Sequence, residues 1–140
     1  MLSTVAVVSS EPPESRRLFI DTLGLPLEGE GDGYSATDRV PGCNHFGIWP
    51  LSEAAESCFG GPEWPESVPV PQASIEFEVD NREAVEAATS ELQSGGFEIL
   101  HPARTEQWGQ TVARLLTSDG LIVGVSFIPA FHAVEGSSSD

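Results

Sequence analysis

The chain contains no lysine and only six basic residues, all of them arginine, against 22 acidic residues. The absence of lysine excludes a lysine Schiff base or a lysine nucleophile. The formal net charge of −16 argues against nucleic-acid binding, which requires a positively charged surface, and against docking on anionic membranes. The same charge favours cationic small molecules, although its plainest consequence is a solvated acidic surface.

Cysteines are also scarce, and the amino terminus lacks a basic segment. Cys43 and Cys58 show neither metal-ligand spacing nor a disulfide framework, so we expect reduced thiols, with a single bridge as the alternative. The first apolar run is too short for a signal peptide or a membrane span. We therefore expect a cytoplasmic protein with no membrane partner and no nucleic-acid partner.

A strand–helix–turn pattern occurs twice in the 140 residues. The first copy has an apolar strand at residues 4–8 and a helix from about Pro12 that ends at Gly24. The second has an alternating strand at residues 74–79 and a helix from about Arg82 that ends at the Gly95-Gly96 pair. This repeat predicts one domain with internal pseudo-symmetry and a cavity within it.

The domain is predicted to span residues 1–132, followed by a flexible tail over 133–140. Module 1 covers about 3–52 and module 2 about 72–129. A proline-rich connector, about 53–71, carries Phe59 and Trp64 and is therefore expected to pack against the domain.

Further elements follow from local signals. Short strands are predicted around 34–37, 45–49 and 97–100, and a hairpin is predicted from 111–116 and 121–128. Ser10 is expected to cap the first helix, and Asp80 with Glu83 resembles a capping box for the second.

Several motifs in this order resemble the vicinal oxygen chelate superfamily, which is also called the glyoxalase/bleomycin-resistance/dioxygenase fold. The motifs are Thr4-Val5-Ala6-Val7, Ser15-Arg16-Arg17-Leu18-Phe19, Leu23-Gly24-Leu25, Ser74-Ile75-Glu76-Phe77-Glu78-Val79-Asp80, Trp108-Gly109-Gln110, and Asp119-Gly120-Leu121-Ile122-Val123-Gly124. The resemblance implies an α+β fold in which two βαβββ modules form curved mixed sheets around a cleft. It also implies a homodimer.

The metal-ligand positions of the resembling family are altered here. Metal-using members take ligands from the starts of the first and second module and from the final strand. The matching positions are Thr4 (or Ser3, if the register slips by one), Ser74 and Gly124. Hydroxyls and a glycine are poor ligands for Zn²⁺, Fe²⁺ or Ni²⁺. We therefore expect no metal ligands and no cofactor, as in the metal-free branch of the family.

Polar side chains on the strand at 74–79 are the first candidates for function. Ser74, Glu76 and Glu78 share one face of this strand, which lines the cavity in the resembling family. Two carboxylates so close together could bind a cation or act as acid and base, or could simply be solvated at a sheet edge.

Aromatic and histidine side chains are the second candidates. His45 and Trp49 share a face of their strand. His45 is a candidate proton carrier or lone metal ligand, or a histidine that is simply hydrogen-bonded or at the surface. Trp49, Trp64, Trp108, Phe59 and Tyr34 are candidates for stacking on a planar ligand, or for ordinary packing. Gln110 is a candidate to donate a hydrogen bond to a ligand carbonyl. Arg104 is expected to pair with a surface carboxylate, with a ligand acid as the alternative. His101 and His132 are assigned no role.

Two main hypotheses follow. The first is metal-independent binding of an antibiotic-like aromatic or cationic ligand by Ser74, Trp49, Glu76, Glu78, Trp108 and Gln110. The second is an enzyme of the same superfamily: a metal-dependent lyase, isomerase or dioxygenase with a rearranged site that uses Glu76 and His45, or a metal-free acid–base catalyst. A third hypothesis is a regulatory protein with a vestigial cleft.

Overall fold

The computed structural model describes residues 2–29 and 32–132, and the centre of this structure is one curved, mixed, seven-stranded sheet. The strands are β1 (Leu2–Ser9), β2 (Ser35–Thr37), β3 (His45–Pro50), β4 (Ala73–Glu78), β5 (Ile99–Thr105), β6 (Thr111–Leu116) and β7 (Leu121–Phe127). The helices are α1 (Pro12–Arg16), which continues as a π-helical segment (Arg17–Thr22), α2 (Leu51–Phe59) and α3 (Arg82–Ser94). The expected α+β class is confirmed. The tail predicted for 133–140 lies outside the described residues.

The two halves of the sheet repeat one pairing scheme. The strand order is β2-β3-β1-β4-β7-β6-β5. In each half the first strand pairs in parallel with the last, β1 with β3 and β4 with β7, and the last pairs with an antiparallel neighbour, β2 or β6. β1 and β4 join the halves in antiparallel fashion. The second half has one more strand, β5, at its outer edge. In the first half the corresponding place is taken by an isolated antiparallel bridge between Glu28 and Ala36.

Strand β4 buries its polar face. Ser74, Glu76 and Glu78 are all buried, whereas Phe77, which points the other way, is 42% exposed. A half-buried strand normally shows the opposite arrangement, with apolar side chains inside. The alternation that the sequence predicts is present, and it places two carboxylates and a hydroxyl on the enclosed side of the sheet.

The connector contains a helix that the sequence pattern did not predict. α2 buries Ala54, Ala55 and Cys58, and Cys58 belongs to a core cluster with Val8 of β1 and Ile122 of β7. The helix touches β1, β3 and β5, so it bridges the two halves of the sheet. It ends at Gly60, whose φ of 83° lies in the left-handed region that glycine adopts without strain.

Both predicted helix caps were wrong. The first helix has Glu11 at its N-cap without a side-chain hydrogen bond, since Pro12 and Pro13 occupy the first positions and have no amide hydrogens to satisfy. The second helix begins one residue later than the capping box required. Its cap is therefore Asn81, whose side chain accepts from the Ala84 amide at 2.8 Å.

Strand β5 also differs from the prediction. It runs over Ile99–Thr105 instead of 97–100 and passes through Pro102, which the edge position tolerates. This extension brings His101 into the interior. Within the described ranges, none of the helices is long and apolar enough to cross a membrane.

Candidate functional site

A cavity of about 560 Å³ opens on the enclosed side of the sheet. The lining side chains come from β1, β3, β4, β6 and α2, from the loops beside β2, from the loop between β5 and β6, and from the segment after β7. The lining residues are Thr4, Ala6, Tyr34, Asp38, His45, Trp49, Glu53, Ser74, Glu76, Trp108, Gln110, Arg114, Ile128 and Phe131. A cavity of this size, with apolar walls and a few polar groups, is typical of a small-molecule site.

Glu76 is held in place by a buried amide. Gln110 Nε2 donates to Glu76 Oε1 at 2.7 Å and to Ser126 Oγ at 2.9 Å, while Gln110 Oε1 accepts from the Trp108 indole nitrogen at 2.8 Å. Both hydrogens of the Gln110 amide are therefore used within the protein. This corrects the expectation that Gln110 donates to a ligand: its side chain instead orients Glu76 and Trp108.

Arg114 is a buried cation at the inner end of the cavity. Its side chain is 2% exposed, and its guanidinium nitrogens lie 3.6 Å from carboxylate oxygens of both Glu76 and Glu106. The guanidinium also lies over the Trp49 ring, 5.2 Å from the ring centroid. A buried charge needs such partners because desolvation is costly.

His101 completes the surroundings of Arg114. Its Nδ1 lies 2.8 Å from the Pro102 carbonyl oxygen and so carries the hydrogen, which leaves Nε2 to accept from Arg114 Nη1 at 3.1 Å. Burial, and to a lesser degree the positive charge of Arg114, lowers the pKa of His101 to about 4. The imidazole is therefore neutral at physiological pH and serves as a fixed acceptor.

Three side chains form a hydrogen-bond chain along the cavity wall. Asp38 Oδ1 lies 2.6 Å from His45 Nδ1, and His45 Nε2 lies 2.8 Å from Tyr34 Oη. Burial, followed by the carboxylates of Glu76, Asp38 and Glu53, raises the pKa of Tyr34 well above its usual value. Tyr34 is therefore a neutral phenol.

Gly47 makes room for this chain. A Cβ atom at this position of β3 would lie 2.5 Å from Tyr34 Oη, so any larger residue would displace the phenol.

Two buried polar atoms in the cavity have no hydrogen-bond partner within the described residues. They are Ser74 Oγ and Arg114 Nε, in side chains that are 1% and 2% exposed. An orphaned buried polar atom is costly unless another group satisfies it. Both atoms are therefore available to a bound ligand.

Glu78 has a different position from the one that the sequence suggested. It is not among the residues that line the cavity. Its Oε2 accepts from the Ile128 amide at 2.5 Å and lies 3.0 Å from His132 Nε2. Glu78 thereby anchors the segment that carries Ile128 and Phe131, both of which do line the cavity.

The metal that the superfamily resemblance implies does not fit these residues. Thr4 and Ser74 line the cavity as hydroxyls, and Ser3 instead donates to the Glu76 carbonyl oxygen. At Gly124 a Cβ would lie 3.0 Å from Glu76 Cγ, so the Glu76 side chain fills that space. Among residues 2–29 and 32–132, no three His, Cys, Asp or Glu side chains are grouped as a metal site would require.

The cavity brings together most of the residues singled out from the sequence. His45, Trp49, Ser74, Glu76, Trp108 and Gln110 all line it, whereas Phe59 and Trp64 pack on each other in the connector at 4.8 Å. Sequence reasoning missed Arg114, Asp38 and Glu53. One feature of the sequence could have identified Arg114, because it is the only charged residue in the largely apolar strand β6.

Comparisons with known proteins agree on the fold. The sequence model of the Glyoxalase/Bleomycin resistance protein/Dioxygenase superfamily matches residues 2–125. No curated protein matches the chain significantly.

Solved structures with the same fold carry very different names. A structure described as an NAD-dependent benzaldehyde dehydrogenase from Legionella pneumophila has 13% identity and a TM-score of 0.58, with 89% of this chain and 97% of that chain covered. A glyoxalase/bleomycin resistance protein/dioxygenase superfamily member from Vibrio splendidus 12B01 has 13% identity and a TM-score of 0.57, with coverage of 91% and 99%. A methylmalonyl-CoA epimerase from Streptomyces coelicolor has 11% identity and a TM-score of 0.51, with coverage of 93% and 95%. At these identities the likeness shows the fold alone.

Proposed function

The chain belongs to the glyoxalase/bleomycin resistance protein/dioxygenase superfamily, and on that premise we propose that it binds a small aromatic cation in this cavity without a metal ion. The observation that carries the proposal is the charge of the lining. Three carboxylates, on Asp38, Glu53 and Glu76, face one cation, Arg114. Such a cavity attracts a positively charged ligand and repels an anionic one.

The aromatic part of the ligand has a stacking surface at the cavity mouth. Trp108 lines the cavity and is 62% exposed, yet its indole nitrogen is tied to Gln110. An exposed tryptophan held in one orientation is a ready stacking partner for a planar ring and for a cation. Phe131 adds a second apolar ring to the lining. Sequestration of a cationic, antibiotic-like molecule is the role that these features support best.

Matched small probes test the proposal. We expect (1-naphthylmethyl)trimethylammonium to quench tryptophan fluorescence and to bind in calorimetry. The anion 1-naphthylacetate, which has the same ring, should bind at least about tenfold more weakly because its charge is reversed. Equal binding of the two probes, or tighter binding of the anion, would refute the proposal.

The rival hypothesis is a metal-dependent lyase, isomerase or dioxygenase with a rearranged site. Over residues 2–29 and 32–132, no group of three or more His, Cys, Asp or Glu side chains could hold a metal ion, which argues against it. After incubation with Zn²⁺, Ni²⁺, Fe²⁺ and Mn²⁺ and then desalting, we expect elemental analysis to find much less than one metal per chain. Stoichiometric retention of one metal would favour the enzyme hypothesis.

We also propose that the protein is a homodimer, as the family resemblance implies. Support comes from apolar side chains left exposed on the outer face of the sheet, where Leu2 and Phe77 pair across β1 and β4. Light scattering should give twice the chain mass of 14.9 kDa, and a monomer at high concentration would contradict this proposal.

A further inference from the structure

We infer that the Asp38–His45–Tyr34 chain selects ligands whose cationic nitrogen carries a hydrogen, that is, protonated amines or heteroaromatic bases, over quaternary ammonium ions. The inference rests on the proposed function, because it specifies which class of cation the same cavity takes. It follows from the direction in which the two hydrogen bonds between these three side chains run.

For the neutral form of the His45 imidazole, the direction follows from the Asp38 end. An ionised carboxylate can only accept, so the hydrogen in the 2.6 Å contact belongs to His45 Nδ1. A neutral imidazole with its hydrogen on Nδ1 has a lone pair on Nε2. Tyr34 must then donate its hydroxyl hydrogen across the 2.8 Å contact to His45 Nε2.

The donor capacity of Tyr34 is consequently used up inside the protein. A phenol has a single hydrogen to donate, and what remains for the cavity is the lone-pair side of Oη. Toward a ligand Tyr34 is therefore an acceptor, and the partner that suits it is an N–H group. A quaternary nitrogen satisfies the charge of the cavity but offers no hydrogen to this oxygen.

The field at the phenol oxygen points to the same ligand. Burial raises the pKa of the Tyr34 phenol most, and the carboxylates of Glu76, Asp38 and Glu53 raise it further by disfavouring negative charge on Oη, against an opposing effect of Arg114. The potential that opposes a phenolate there favours a positive charge beside it. A protonated amine satisfies both requirements, because its N–H group can donate a charge-assisted hydrogen bond to the free lone pair of Tyr34 Oη.

An unsatisfied hydroxyl in the same cavity supports a polar ligand independently. Ser74 Oγ is buried, lines the cavity and has no partner within the described residues. A purely apolar guest would leave this atom orphaned, whereas a ligand with a polar group can pair with it.

The test compares two cations that differ in one group. (1-Naphthylmethyl)dimethylammonium carries an N–H, and (1-naphthylmethyl)trimethylammonium replaces that hydrogen with a methyl group. Near neutral pH both have one positive charge and the same ring. We expect calorimetry on the full chain to show the N–H cation binding about tenfold or more tightly, as for a hydrogen bond to a charged group.

Two variants test whether the preference for the N–H cation depends on the Asp38–His45–Tyr34 hydrogen bonds. Tyr34→Phe keeps the ring and removes the acceptor, so the ratio of the affinity for the N–H cation to that for the quaternary cation should fall to about one. Asp38→Asn should also lower the ratio, because an asparagine amide can donate to His45 Nδ1 and reverse the direction of the chain. The loss of the Asp38 charge lowers the affinity for both cations by the same factor, so this effect cancels in the affinity ratio.

The outcomes separate the two proposals. If wild-type protein binds both cations equally, or if Tyr34→Phe retains the preference for the N–H cation, the inference is wrong and the proposed function stands. If neither cation binds better than 1-naphthylacetate, the proposed function fails and the inference fails with it. A cooperative urea unfolding transition of Tyr34→Phe shows that this variant is folded.

Discussion

At the scale of single residues, the cavity depends on how Arg114 is neutralised. The guanidinium has Glu76 and Glu106 as carboxylate partners, and His101 as a neutral acceptor. Gly124 allows the contact with Glu76, because a side chain there would crowd the carboxylate. Glu76 thus acts in two ways at once: its charge attracts a ligand, and its position stabilises Arg114.

Substitution of Glu76 should separate these two contributions. Glu76→Gln keeps the shape and the contact with Gln110 but removes one of the two carboxylates beside Arg114. We expect the free energy of unfolding in urea to fall by about 1–3 kcal/mol. The affinity for the quaternary naphthyl cation should fall about tenfold, since the cavity loses one negative charge.

Glu53→Gln is the matched control for Glu76→Gln. Glu53 lines the same cavity from α2, and no salt bridge to it occurs among the described residues. Glu53→Gln should also lower the affinity for the quaternary cation. It should change the free energy of unfolding by only about 0.5 kcal/mol, the size of a helix-terminus charge effect. Equal losses of stability in the two variants would show that Glu76 does not stabilise Arg114.

His101 gives the folded protein a defined response to acid. Its pKa is lowered from 6.5 to about 4 on folding, first by burial. Between these values the unfolded chain binds a proton that the folded chain does not bind. The resulting loss of stability is therefore absent above about pH 6.5, grows as the pH falls, and is complete near pH 4 at up to about 3 kcal/mol.

His101→Gln tests this response because glutamine can still accept from Arg114 but does not titrate. Urea unfolding between about pH 7 and pH 4 should give a smaller loss of stability for the variant than for wild type. The remaining slope belongs to the carboxylates. Parallel curves for the two proteins would mean that the imidazole is not kept neutral by the fold.

Residue-scale prediction from the sequence succeeded where the signal was local. The alternation of Ser74 and Glu76, together with the resemblance, was enough to place both on the inner face of the sheet. The partners of these residues could not be predicted in this way. Arg114 lies 38 positions after Glu76 in the chain, and Tyr34 meets His45 only because β2 and β3 form a pair.

At the scale of elements, β3 shows how a glycine can be required by a neighbour. Gly47 is paired with Ala6 of β1 and Ala36 of β2, and the Tyr34 side chain lies across it. The glycine is therefore explained by close approach of a ring, and not by backbone conformation.

Gly47→Ala should displace the phenol. The added Cβ would lie 2.5 Å from Tyr34 Oη, so the ring must move and its contact with His45 must weaken. We expect thermal or urea unfolding to show a loss of about 1–3 kcal/mol, as for overpacking. We also expect the preference for the N–H cation to fall.

Gly61→Ala is the corresponding control. A Cβ there meets nothing within 4 Å, and the site is in the connector after α2. This substitution should change stability by less than about 0.5 kcal/mol. A Gly47→Ala variant as stable as Gly61→Ala would mean that Tyr34 packs differently from the arrangement described.

Elements were predictable to the extent that their signals were periodic. Apolar spacing and turn residues were enough to predict α1 with its π-helical continuation, α3, the hairpin of β6 and β7, and strands β1, β3 and β4. Helix α2 was hidden because its buried residues are small, Ala54, Ala55 and Cys58, and because it lies within a proline-rich stretch. Strand β5 was shortened in the prediction because Pro102 signals a break, which an edge strand tolerates.

At the scale of the whole molecule, the net charge of −16 acts on folding and on binding with opposite sign. Like charges repel more strongly in the compact state than in the unfolded chain, so the charge destabilises the fold. The same field draws a cation toward the carboxylate-lined cavity. Salt screens both effects, because the Debye length falls from about 30 Å at 0.01 M to about 8 Å at 0.15 M.

One titration with NaCl should therefore move the two properties in opposite directions. Between about 0.01 M and 0.15 M NaCl we expect the free energy of unfolding to rise and the affinity for the quaternary naphthyl cation to fall by about threefold or more. The ratio between the N–H and quaternary cations should stay constant, since both carry one charge and a short hydrogen bond is not screened by ions in solution. If affinity is insensitive to salt while stability rises, the net charge does not contribute to binding. The quaternary cation would then be held by the local contacts of Trp108 and Glu76 alone.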